Sequence, residues 1–192
     1  MDSINNALDR HVQQMLKDLD IAELKAHPSE YRSLKKLDEI FSGGIDPVLR
    51  ESKNLIEHPT RDRQRSTKGM VEYKVFRQPE RKMFSTDQVL YEQQGQGFCP
   101  ANLAEMCRYI EYRNEQVKDP KWKTLKSHGR WHTQEELICF GSTVYIEHKM
   151  HILTCSAEFV QAQDKYIYRL GLTPEKRNWG LGEWFIFVIN NY

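Results

Sequence analysis

Apolar positions recur at helical spacing early in the chain and alternate as in strands later. From Ala7 to Lys25, Leu8, Val12, Met15, Leu16 and Leu19 return every few residues with Asp, Lys and Gln between them, which predicts an amphipathic helix. Pro28 suits a first helical position. Tyr31, Leu34, Leu37 and Phe41 then mark the buried stripe of a second helix that stops at Gly43 and Gly44. Asp46 and Pro47 predict the cap and first turn of a third, which carries Val48, Leu49, Ser52, Leu55 and Ile56 and ends at His58 and Pro59.

The pattern changes near residue 60. Val71, Tyr73 and Val75 alternate with Glu72 and Lys74, the signature of a strand with one wet face, and Gln78, Pro79 and Glu80 read as the turn after it. Ser85, Thr86, Asp87 and Gln88 resemble a capping box opening a short helix through Val89, Leu90 and Tyr91, closed by Gly95 and Gly97. A longer helix is predicted from Pro100, with Leu103, Met106, Cys107, Ile110 and Val117 on one stripe. Residues 119–132 are polar and basic and read as a long loop. Thr133 to Glu136 look like another capping box before Leu137 to Phe140 and Gly141, a piece compatible with a turn or two of helix or with a strand. Thr143 to Glu147, Met150 to Cys155, Tyr166 to Leu170 and Trp184 to Ile189 read as strands, with His148-Lys149 and Gln163-Asp164 as turns.

The stretch Trp184 to Ile189 organises the rest. Its six residues are all apolar, and alternate side chains leave a strand on opposite faces. Trp184, Ile186 and Val188 therefore point one way and Phe185, Phe187 and Ile189 the other, so the strand belongs inside a sheet covered above and below. Helices first and closely spaced strands later predict an α+β fold, with an N-terminal helical layer of about three helices packed on a mainly antiparallel C-terminal sheet. The expectation is one domain over residues 1–192. Residues 1–59 form its helical part, 60–132 a mixed part with basic loops, and 133–192 the sheet.

Composition adds little until it is read locally. The hydrophobic fraction of 39% and charged fraction of 29% are those of a chain able to build a core. A net charge of +1 gives no global pull toward nucleic acid or anionic membrane, so any electrostatic partner must be read from clusters. The start of the chain has no basic n-region or apolar h-region, and no apolar run approaches the roughly 20 residues needed to span a bilayer. The expectation is a soluble cytoplasmic protein without membrane contact. Cys99, Cys107, Cys139 and Cys155 form no CxxC pair and read as reduced core residues.

The residues raise three kinds of chemistry. His128, His132, Cys139, His148, His151 and Cys155 fall within 28 residues, a density that invites a zinc reading. On a strand, however, His151 and Cys155 lie about 13 Å apart, too far for one ion, and Gly129 argues against a helix carrying His128 and His132. No metal and no cofactor is expected. For catalysis, GxSxG, Walker A, GxGxxG and HExxH patterns are all missing from the sequence. Cys99 just before a helix at Pro100 has one feature that lowers a thiol pKa, but no local base matches it. Glu147 and Glu158 read as solvent-facing strand residues.

The third is polyanion binding. Between Thr60 and Lys82 there are eight Lys or Arg against three acidic residues, a local excess of five positive charges. Arg61, Arg63, Arg65, Lys68, Arg77, Arg81 and Lys82 suit phosphate contacts. Lys121, Lys123, Lys126 and Arg130 add cations interleaved with Trp122 and Trp131, which suit stacking on bases. The sequence thus predicts a non-catalytic intracellular protein contacting nucleic acid through basic loops. Two readings compete with it: a protein-binding inhibitor or assembly component, with a protein partner or self-association, and a small hydrolase using a His/Cys site.

Overall fold

The computed structural model describes residues 21–25, 34–51, 55–57, 70–77, 83–118, 134–179 and 183–189. In chain order the elements are β1 (Ile21–Lys25), α1 (Leu34–Ile40), β2 (Gly44–Ile45), α2 (Pro47–Glu51), β3 (Leu55–Glu57), β4 (Met70–Arg77) and β5 (Phe84–Ser85). They continue with α3 (Thr86–Gln94), β6 (Phe98–Pro100), α4 (Leu103–Gln116), β7 (Gln134–Ile146), β8 (Lys149–Val160), a 3-10 turn (Gln161–Gln163), β9 (Lys165–Pro174), β10 (Asn178–Trp179) and β11 (Glu183–Ile189). Helices and a sheet-rich region are both present, as an α+β reading requires. No helix among the described residues is long and apolar enough to cross a membrane.

A nine-stranded sheet runs in the order β1-β4-β11-β7-β8-β9-β2, with β3 added to β7 and β6 added to β11. The strand predicted to be central is central. β4 pairs antiparallel with β11 from Trp184 to Val188. On its other side β11 pairs parallel with β7 from Glu183 to Phe185, then antiparallel with β6 from Phe187 to Ile189. Ala101 bridges this change of partner: its N–H donates to Ile186 O at 3.1 Å and its carbonyl accepts from the Gly141 N–H at 2.9 Å. A methyl group on Gly141 would overlap the backbone of Pro100 and Ala101, so the close approach requires glycine there. β7 bulges at this point, its pairing with β8 passing from Cys139–Leu153 to Thr143–Ile152.

Both faces of β11 are buried as expected. Ile186 and Val188 join Leu137, Cys139 and Val144 of β7, the inward residues of β8 and β9, Met106, Cys107 and Ile110 of α4, and Leu37, Ile40 and Phe41 from α1 and just after it. Phe185 and Phe187 join Ile138, Phe140, Ile152 and Trp179 beneath Val89 and Leu90 of α3. Capping fixes the two longer helices. Ser85 and Gln88 close the predicted box at the start of α3, and Asn102 and Glu105 close another at the start of α4, each contact 2.8 Å.

Four local expectations are corrected, and one choice left open between helix and strand is decided. Ile21–Lys25 is strand, not the end of a helix, and pairs with β4 so that Leu24 lies opposite Val71 and Ala22 opposite Tyr73. The third helix stops at Glu51, and Leu55–Glu57 pairs with β7. The long helix starts at Leu103, which leaves Cys99 in β6 and away from a helix N-terminus. Residues 134–146 are one bent strand, because the bulge carries pairing past Gly141. The hairpin between β7 and β8 turns on Glu147 and His148, at φ 46° and 64°, one residue earlier than predicted. Two positive φ values in a two-residue loop are the geometry whose twist matches the flanking strands. The helix expected over residues 7–20 lies outside the described residues.

Candidate functional site

Of the predicted contact residues, Arg77 alone lies in a described element, at the end of β4. Arg61, Arg63, Arg65, Lys68, Arg81, Lys82, Lys121, Trp122, Lys123, Lys126, Arg130 and Trp131 lie outside the described residues. What the structure places is the points to which their segments are tied.

Arg77 is paired with Trp184, and Trp184 with Leu137, so β4 ends at the sheet end where β7 and β11 begin. Residues 78–82 run from Arg77 to Met83, beside which Phe84 pairs with Trp179, itself packed on Phe185 at 6.1 Å. The segment of residues 119–133 enters β7 at Gln134, again at that end. It leaves the chain following α4, whose Arg113 donates to Tyr166 OH at 3.3 Å, with Tyr166 paired to Phe159 near the same end of β8. Both ends of both segments are thus tied to one end of the sheet. Residues 58–69 differ: they run from Glu57, paired with Ser142 at the β7 bulge, to Met70. Met70 lies seven residues up β4 from Arg77, about 23 Å away on an extended strand. The described residues that flank 58–69 therefore lie elsewhere on the sheet from those that flank 78–82 and 119–133.

The described residues at the shared end carry their own charged cluster. Glu183 and Glu136 are direct neighbours on parallel strands, and Arg177 binds Glu183 while its guanidinium lies 4.3 Å from the Trp179 ring centre. Burial is the main cause that pushes the Glu136 carboxyl up; Glu183 adds to it and Arg177 opposes it. Trp179 is fully buried, and its indole N–H donates to Thr86 Oγ1 at 2.9 Å, while the Thr86 hydroxyl donates to Glu175 O at 2.6 Å. A cavity of about 400 Å³ sits here, lined by Ser85, Thr86, Asp87, Glu175, Lys176, Arg177 and Asn178. Its wall mixes both charges, so it selects neither anions nor cations by field alone. Sequence reading missed Glu136, Arg177 and Glu183 because each precedes or follows a stronger apolar signal; only the register that joins β7 to β11 brings them together.

Elsewhere the chemistry is structural. Lys74 donates to Gln93 Oε1 at 3.3 Å and Gln96 Oε1 at 3.0 Å above the Phe98 ring, and burial lowers its pKa. It ties β4 to the C-terminal end of α3, where a cation complements the exposed carbonyls. In the main core Arg113 lies over the Tyr166 ring at 4.7 Å, and burial pushes the Tyr168 phenol up. Cys107, Cys139 and Cys155 are buried, and burial with the two neighbouring thiols pushes Cys107 well up, the opposite of what a nucleophile needs. His148 is exposed at the hairpin turn and His151 Nδ1 contacts Lys149 O at 3.2 Å. Among the described residues no group of three or more His, Cys, Asp or Glu is placed to hold a metal ion. Glu158 is exposed on β8, and Glu147 is in the turn.

Compared with known proteins, the chain matches no family model, no curated protein and no solved structure.

Proposed function

We propose that the protein is a non-catalytic, cytoplasmic nucleic-acid-binding protein that grips a single strand at the sheet end where β4 finishes and β7 and β11 start. One observation carries this reading: residues 78–82 and 119–133, which hold Arg81, Lys82, Lys121, Lys123, Lys126, Arg130 and both loop tryptophans, are tied at both ends to that place. In this reading an N-terminal helical layer packed on a mainly antiparallel sheet is the frame, and the basic segments are the tool. Cations near one another neutralise successive phosphates, and Trp122 and Trp131 stack on unpaired bases. The set Arg61, Arg63, Arg65 and Lys68 contributes less, because its segment is anchored elsewhere.

Mobility-shift titration with single- and double-stranded oligonucleotides tests this. Replacing Arg81, Lys82, Lys121 and Lys123 together by Glu should abolish the shift, while replacing Arg61, Arg63 and Arg65 should weaken it by less. Trp122→Ala should cost roughly 1–3 kcal/mol on single strands. Affinity should fall steeply with salt as counterions are released. No shift at micromolar protein and low salt overturns nucleic acid; a stoichiometric protein partner or self-association at higher concentration would then take its place.

A further inference from the structure

The parallel seam between β7 and β11 is short: Glu136–Glu183, Leu137–Trp184 and Ile138–Phe185. Its first pair sets Glu136 and Glu183 side by side on the same face at the end of the sheet, Glu183 buried and Glu136 half-buried. The charged groups around Glu136 come from every neighbouring element. Glu183 faces it from β11, and Arg177 approaches from the segment before β10, bound to Glu183 and stacked on Trp179. Ser156 is its partner on β8, with Glu158 two pairs farther out opposite Gln134. Beyond Ser156 lies Arg169 of β9, which donates to Gly43 O at 3.0 Å. Two carboxylates therefore share one guanidinium: it is bound to Glu183 and also favours the charged form of Glu136, so burial is the main cost of ionising Glu136, and Glu183 adds to it. Like charges directly opposed on neighbouring strands weaken the pairing.

We propose that Glu136 is a proton-operated latch on this seam: ionised, it loosens the start of β11 from β7, and on taking a proton from solvent it lets the seam close. Glu183 keeps its bond to Arg177 throughout. The direction of the Glu136 shift agrees, since a carboxyl raised in the folded state contributes stability that is complete below its unfolded pKa and is lost as pH climbs through the folded one. The device belongs to the described strands and works whether or not nucleic acid is the partner.

Amide hydrogen exchange on the intact protein, corrected for intrinsic rates, reads it directly. Protection at Trp184, Phe185, Leu137 and Ile138 should be greater near pH 5 than near pH 8, by up to about tenfold for each unit by which the carboxyl is raised. Glu136→Gln should be equally protected at both pH values, at the level the native chain reaches in acid, and Glu136→Ala should give the same flat profile. Amides of the β8–β9 hairpin should show no such change. A pH-dependent loss of protection that persists in Glu136→Gln, or a native seam equally protected at both pH values, overturns the latch.

Discussion

The two faces of the central strand are built from the same alternation yet finish differently. On one side Ile186 and Val188 open onto a core that continues without interruption through β7, β8 and β9 and takes in α1 and α4. On the other, Phe185 and Phe187 meet a compact aromatic group: Phe140 stacks on Phe185 at 5.5 Å and meets Trp179 edge-on at 5.3 Å. That second core ends within a few residues. The row Phe185–Ile138 leads into the half-polar pair Thr154–Gly171, and the next row outward is Glu183–Glu136–Ser156–Arg169. Dryness on this face follows the footprint of α3 and Trp179, whereas on the first face buried apolar side chains continue across β7, β8 and β9 as far as Arg113 over Tyr166. A strand's own residues say which faces it offers; what lies above decides how far each is used.

Phe187→Ala tests the comparison hardest. It opens a hole in the smaller, aromatic core, which has few neighbours able to move in, and should cost about 3–5 kcal/mol in denaturant unfolding. Ile186→Ala on the opposite face should cost about 2–5 kcal/mol. A loss under 1 kcal/mol for Phe187→Ala would mean that the second face is not a packed core.

Thr86→Val probes the roof without emptying it. The hydroxyl serves two partners, Glu175 O and the buried Trp179 indole, and removing it leaves the indole N–H unsatisfied. The expected loss is about 1–3 kcal/mol by the same measurement. An unchanged midpoint would place the footprint's edge short of Trp179.

The smallest effect belongs beyond that edge. Glu158→Gln on the exposed part of β8 should leave stability within about 0.5 kcal/mol. A larger change would indicate that something covers this part of the sheet.

Legibility in the sequence followed signal length. Trp184 to Ile189 announced a doubly buried strand because six apolar residues leave no wet side, and Ser85 to Gln88 announced a cap because both partners of the box are local. Ile21–Lys25 was misread because five residues fit helix and strand equally, and only pairing with β4 decides. Gly141 looked like a terminator, yet it is the one residue that lets β7 pass Ala101. Thr133 to Glu136 mimicked a helix start; instead Glu136 is the second outward residue of a strand beside Glu183. Its partner lies 47 positions away in number, and no local pattern encodes that meeting. The basic residues were visible as composition, but the strand ends to which their segments attach were not.

The insertion of β11 between β4 and β7 also constrains the order in which the molecule can assemble. The β7–β8–β9 meander closes through tight turns and can form by local search. β4 has no direct seam with β7, so its half of the sheet joins the meander only when β11 pairs with both. Pairing Leu137 with Trp184 closes a loop of tens of residues, and pairing Arg77 with Trp184 one of more than a hundred, before any contact rewards it. Refolding should therefore show an early meander and a slower final phase that reports the burial of Phe185 and Phe187, with the unpaired edges of β4 and β7 exposed to self-association in between.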